Sequence, residues 1–167
     1  HPDDTGAIHY YIHGTEFDGR PEDALVYAKK LGKLAPAASH LVHMPAHTFF
    51  HAGLYQEAAV VNAKAIEADS DWLKAGGDPA PPMAASAELP MYYAHNLAFG
   101  LAGSMMSGDA QLALKYADHA QKVWPAERLS IGGGAYAVSR TYVALARYAP
   151  DKALQIPENT SEPRFIL

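Results

Sequence analysis

Shifted against itself by 34 residues, the chain falls into register. His9 lies on His43, His13 on His47, Ala24 on Ala58 and Pro2 on Pro36, while Asp23-Ala24-Leu25 meets Glu57-Ala58-Ala59. A period of this length restricts the fold more than composition can. Each repeat of such an array is one supersecondary unit that cannot bury its own apolar face, so successive units must stack. At 167 residues, 49% of them hydrophobic, the chain can bury a sizeable core, and it reads as one domain over 1–167.

The units can be followed by their turn residues and helical periodicity. The first covers about 5–38, with a helix over Ala7–Phe17, a turn at Gly19-Arg20-Pro21 and a second helix over Pro21–Leu34. Pro21 suits a helix start, where its missing N–H costs nothing. The second covers about 39–69, with Ser39 as its expected N-cap and Pro45 in its first turns, where proline is least disruptive. Residues 70–90 break the period with Gly76-Gly77-Asp78-Pro79-Ala80-Pro81-Pro82, a loop insertion that Trp72 and Leu73 could anchor as a lid. A third unit spans 91–125, with helices over Met91–Met106 and Ala110–Val123 around Ser107-Gly108-Asp109. A degenerate fourth, 126–156, has helices over Ile131–Tyr148 and Pro150–Gln155.

Thirty-four residues is the period of the tetratricopeptide repeat, and the second unit resembles that family closely. Ala52-Gly53-Leu54-Tyr55-Gln56-Glu57-Ala58 is similar to its inter-helix turn, and Asn62-Ala63-Lys64-Ala65-Ile66-Glu67-Ala68-Asp69 to the end of its second helix. Gly53 lets the chain leave the first helix left-handed, and the small Ala58 lets two helices approach closely. The implied fold is all-α, an antiparallel helix-pair superhelix of about three and a half repeats. Because arrays need several units and capping ends, the chain is expected to be a fragment of a longer protein, or to be covered by a homo-oligomeric copy or a partner.

The most unusual stretch is Ser39-His40-Leu41-Val42-His43-Met44-Pro45-Ala46-His47-Thr48-Phe49-Phe50-His51. At about 100° per residue, His40, His43, His47 and His51 fall within an arc of roughly 80°, with Val42, Pro45, Ala46 and Phe49 nearly opposite. His9/His13 and His43/His47 are both i,i+4 pairs, which set two imidazoles about 5–6 Å apart at Cβ on one helix face. No packing rule asks for imidazole twice at matching places in two repeats. Two such pairs on helices packed about 8–10 Å apart could converge on one ion, so His9, His13, His43 and His47 are the first candidate ligands. Glu16, three residues past His13, could add a carboxylate; His40 and His95 could ligate from the side or support the ligands, and His51 is a further candidate ligand. The family resemblance implies that these histidines, on first helices of successive units, face one concave groove. His9-Tyr10-Tyr11-Ile12-His13 with His40-Leu41-Val42-His43-Met44-Pro45-Ala46-His47 further resembles a bacterial, histidine-rich subfamily.

With no cysteine, thiolate sites and disulfides are excluded, and an imidazole-rich site suits zinc, copper, iron or nickel, zinc or copper first. Met44 stands where a zinc protease of the His-Glu-x-x-His type has its general base, so that route is unsupported. Gly132-Gly133-Gly134 lacks the Lys-Ser/Thr of a phosphate loop and reads as the start of a helix. A net charge of −5 with 13 scattered Lys and Arg argues against nucleic acid, and no apolar run approaches the ~20 residues of a membrane span. The compartment stays open between cytoplasm and periplasm. The aromatics of the first helices (Tyr10, Tyr11, Phe49, Phe50, Tyr92, Tyr93, Phe99) are expected mostly in the core, with Tyr10 and one of Tyr92 and Tyr93 beside the groove. His119, on a second helix, is expected in solvent. The leading expectation is thus a metal-binding domain, able to act as a metalloenzyme on a small-molecule substrate. The alternatives are a scaffold that binds a partner peptide or protein in its groove, with pH-sensing imidazoles, and metal storage or delivery without catalysis.

Overall fold

The computed structural model describes residues 1–74, 91–123 and 133–156, and all regular structure among them is helical. Helix α1 (Thr5–Phe17) starts on Asp4, whose carboxylate accepts the backbone N–H of Ala7 at 2.8 Å. A single 3-10 turn, Pro21–Ala24, leads into α2 (Leu25–Leu34). There follow α3 (Ser39–His43), α4 (Pro45–His51) and α5 (Tyr55–Lys74). The chain continues with α6 (Met91–Ser107), α7 (Ala110–Val123), α8 (Gly133–Tyr148) and α9 (Pro150–Ala153).

Three of the connections are built alike. Gly19, Gly53 and Gly108 have φ of 71°, 79° and 78°, the left-handed conformation that a Cβ disfavours. After each glycine the next N–H returns to the carbonyl five residues back: Arg20 to Thr15 at 2.9 Å, Leu54 to Phe49 at 2.7 Å, Asp109 to Ser104 at 3.0 Å. This is the helix-ending motif in which the last free carbonyls of one helix are satisfied while the chain reverses. Five residues beyond each glycine stands a fully buried alanine, Ala24, Ala58 and Ala113. These small side chains let the two helices of a pair close on each other.

The core forms in two blocks. One gathers Ile8, Ile12, Ala28, Leu31, Met44, Ala46 and Phe49; the other Ile66, Leu97, Leu101, Ala117 and Leu145. Helix α5 joins them by packing against α3, α4 and α6, and Phe99 of α6 leans on the first block. At Gly103 a Cβ would come within 2.9 Å of the Tyr55 carbonyl oxygen, so the absence of a side chain is what lets α6 lie against α5.

Several local expectations are corrected. The helix over 39–51 is two helices, α3 and α4, divided at Met44, because Pro45 has no N–H for the ladder and starts α4 instead. Met44 keeps helical dihedrals, so the direction of the chain, and with it the His43/His47 spacing, survives the division. Ser39 is the first residue of α3 and makes no capping bond; its hydroxyl serves the carboxyl of Asp69. Helix α5 runs to Lys74, into the segment expected as loop, since no glycine or proline precedes Gly76 to stop it. The rest of that loop (75–90), the side chains of Trp72 and Leu73, and residues 124–132 and 157–167 lie outside the described residues.

The aromatics divide. Phe49 and Tyr93 are buried, whereas Tyr10, Tyr11 and Tyr92 are exposed, as is Phe17 at the end of α1. Helix α1 packs on α2, α4 and the 3-10 turn, which leaves its outer side to solvent. No described helix is long and apolar enough to cross a membrane.

Candidate metal centre

Four helices place the histidines. The i,i+4 spacing puts His9 and His13 on one side of α1, with Glu16 one turn on. Helices α3 and α4 present His40, His43, His47 and His51 towards it, and α6 brings His95 from a third direction. Ring centroids trace a continuous chain of contacts: His9–His13 at 5.1 Å, His13–His47 at 5.0 Å, His47–His43 at 4.9 Å and His43–His95 at 4.6 Å. His40 closes the other end, 5.0 Å from His9 and 6.0 Å from His43. All eight residues expected from sequence therefore meet in one cluster. His51 is its outermost member, half exposed and joined to the cluster through Glu16, at 3.1 Å.

The two i,i+4 pairs do not converge as one quartet. Donor atoms within 4.8 Å of one another define three sets: His9, His13 and His40; His43, His47 and His95; and His13, Glu16 and His47.

The hydrogen bonds of the inner set fix its tautomers. Nδ1 of the fully buried His43 lies 2.6 Å from Oδ1 of Asn62, and the amide nitrogen of Asn62 donates to the Ala58 carbonyl at 2.7 Å. With the amide held in that sense, His43 Nδ1 carries the proton and donates it to Asn62. Nδ1 of His47 donates to Oε1 of Glu16 at 2.9 Å. Both Nδ1 protons are thus spent on acceptors, and the two Nε2 atoms face each other at 3.0 Å. Two lone pairs at that distance repel unless a cation lies between them. Two nitrogens bound to one tetrahedral ion at 2.0–2.1 Å stand about 3.3 Å apart, so the spacing suits a shared metal.

Glu16 is the one carboxylate in the three donor sets. Besides His47 it meets Nδ1 of His13 through Oε2 at 3.3 Å. Burial works against its ionisation, but the hydrogen bonds from His47 and His13 outweigh it and bring its pKa to about 2. Burial moves the imidazoles the other way. It is the main cause that brings His40 down to about 4, His43 well below the ordinary value, and His9 and His95 lower. Neighbouring imidazoles add to the effect. Neutral imidazoles beside an ionised carboxylate are the protonation states that metal ligation requires.

Asn62, the partner of His43, is the residue of the candidate site that sequence reasoning missed. It sits on α5, 19 residues beyond the histidine it orients. A buried asparagine one turn past the packing alanine Ala58 was its available signal. Asn96, fully buried on α6, directs its amide to Asp69 instead, at 3.3 Å. Tyr10 stacks on His9 and Tyr92 lies on His40 with centroids 4.1 Å apart, so both border the cluster. His119 is partly buried rather than solvated, and its Nε2 receives the Tyr93 hydroxyl. It lines a cavity of about 590 Å³ with Ile66, Glu67, Ser70, Lys115 and Tyr116, which touches none of the clustered imidazoles.

No family model matches this chain, and comparison with curated proteins and with solved structures returns no match.

Proposed function

We propose that the chain is a tetratricopeptide-like array of helix pairs that binds a divalent transition metal ion, zinc or copper, in the histidine cluster on its first helices. The inner set His43, His47 and His95 is the primary site. The three glycine turns and their matching buried alanines support the repeat reading. The observation that carries the metal reading is the pair of facing Nε2 atoms, 3.0 Å apart with both Nδ1 protons committed elsewhere. Asn62 and Glu16 then act as the outer groups that fix each ligand's tautomer and ring direction. Three neutral imidazoles leave a fourth position on a tetrahedral ion for water or a substrate group, the arrangement of catalytic rather than structural sites.

The test is metal content and binding. Untagged protein is stripped with chelator, titrated with Zn²⁺ or Cu²⁺ and measured beside a His43→Ala/His47→Ala variant. Stoichiometric metal in the parent, with binding lost in the variant, supports the reading. A folded parent that takes up neither ion would leave a proton as the cation between the two nitrogens. The cluster would then be a pH-sensitive element of a peptide-binding scaffold.

A further inference from the structure

The reading above needs three imidazoles, and the cluster holds three more whose donor atoms also lie within 4.8 Å of one another. Resting on that metal-binding reading, the geometry points to a second ion held by His9, His13 and His40, so that the centre carries two ions on separate ligand sets.

The two sets share no residue, and each brings its three donor atoms within 4.8 Å. Nε2 of His9 and Nε2 of His40 face each other at 3.3 Å, the separation expected of two nitrogens on one tetrahedral ion. Tyr92 lies on the His40 ring with centroids 4.1 Å apart, and the buried Nδ1 of His40 has no hydrogen-bond partner, so the polar contact of this ring is made through Nε2, the atom turned to His9. His13 has its Nδ1 on Glu16, which leaves Nε2 as its free donor.

Glu16 ties the two sets together. One carboxylate oxygen takes Nδ1 of His13, from the outer set, and the other takes Nδ1 of His47, from the inner set. A carboxylate that orients one imidazole of each triad is placed to support both ligand sets and to offset the charge of a pair of ions.

The sets differ in exposure. In the inner set His43 and His47 are buried and His95 is partly open, whereas His9, His13 and His40 are all partly open and bordered by the exposed rings of Tyr10 and Tyr92. The inner ion is held tightly, and the outer ion exchanges with solvent.

The experiment is equilibrium dialysis of the full chain against Zn²⁺ with elemental analysis, repeated for His9→Ala/His40→Ala and for His43→Ala/His47→Ala. Circular dichroism checks each fold, and His9→Gln/His40→Gln replaces the first pair if it unfolds. Two zinc ions per parent chain, falling to one in each double variant, is the expected result. Co²⁺ should give two resolvable binding phases by its visible absorption, the weaker missing from His9→Ala/His40→Ala. One zinc in the parent that is lost from either variant means a single site shared by all six imidazoles and overturns the second ion. One zinc kept by His9→Ala/His40→Ala but lost from His43→Ala/His47→Ala overturns it too, and leaves the inner site standing. No zinc in a folded parent that also takes up no Cu²⁺ removes the metal-binding reading itself.

Discussion

His43 and Asn62 are joined by a 2.6 Å hydrogen bond between a fully buried imidazole and a fully buried amide. The bond turns the basic nitrogen of His43 towards His47 and away from α5.

Asn62→Leu keeps the branched shape and removes the acceptor. We expect a 10–100-fold loss of Zn²⁺ affinity in competition with a chromophoric chelator, the usual consequence of deleting a group that orients a ligand. The stranded Nδ1–H should also lower stability by about 1–3 kcal/mol in urea unfolding. Unchanged affinity would show that Asn62 serves packing alone.

Glu16→Gln tests the carboxylate. Glutamine retains one acceptor oxygen where two oxygens now meet His13, His47 and His51. Zinc binding should weaken by roughly tenfold or more at pH 7. A variant with parental affinity would remove Glu16 from the centre.

Acid should destabilise the metal-free protein. His40, His43, His9 and His95 all have folded pKa values below that of an unfolded histidine, His40 at about 4. Below about pH 6.5 the unfolded chain therefore binds more protons than the folded one, and stability falls as pH drops towards 4. Glu16 acts in the same direction over a lower window. Its depressed value contributes stability above about pH 4.5 that is lost as pH falls towards 2. Calorimetric Tm should decline by about 5 °C or more between pH 7 and 4.5, and less steeply in His40→Gln. A Tm flat across that range would contradict the burial of these rings.

Two glycines of the helices make opposite forecasts. Gly103→Ala would drive its Cβ to 2.9 Å from the Tyr55 oxygen and 3.0 Å from the Ala59 nitrogen, both backbone atoms that cannot turn aside. A loss of about 1–3 kcal/mol is expected, along with weaker metal binding as α6 carries His95 outward. Gly14→Ala in α1 meets nothing within 4 Å and should stabilise by up to about 1 kcal/mol through helix propensity. Urea denaturation of both variants checks the pair.

The sequence made the helices and the histidines legible because both follow short-range rules. Imidazoles four apart must share a helix face, and a glycine before an aromatic and an acidic-alanine pair must end a helix. How the six imidazoles divide was not legible, since pairing across α1, α3, α4 and α6 depends on how far each helix is rotated about its axis. His40 joins His9 through the packing of α1 on α4, and His95 joins His43 and His47 through the packing of α5 on α3, α4 and α6. Asn62 stayed hidden for the same reason: its partner lies across a hairpin, where no sequence period connects them. The break at Met44 was a misjudged local cost. Pro45 starts a helix more cheaply than it interrupts one.

The imidazoles also span the direction in which the helices are stacked. Those of the two triads come from α1, α3, α4 and α6, elements that otherwise meet through side chains of the core. In the array proposed above, stacked helix pairs would touch only their neighbours, which would let it bend and twist like a soft spring. Ions clamped across these helices would stiffen that spring along one edge and set its curvature, making the shape of the whole stack a readout of what the histidines hold.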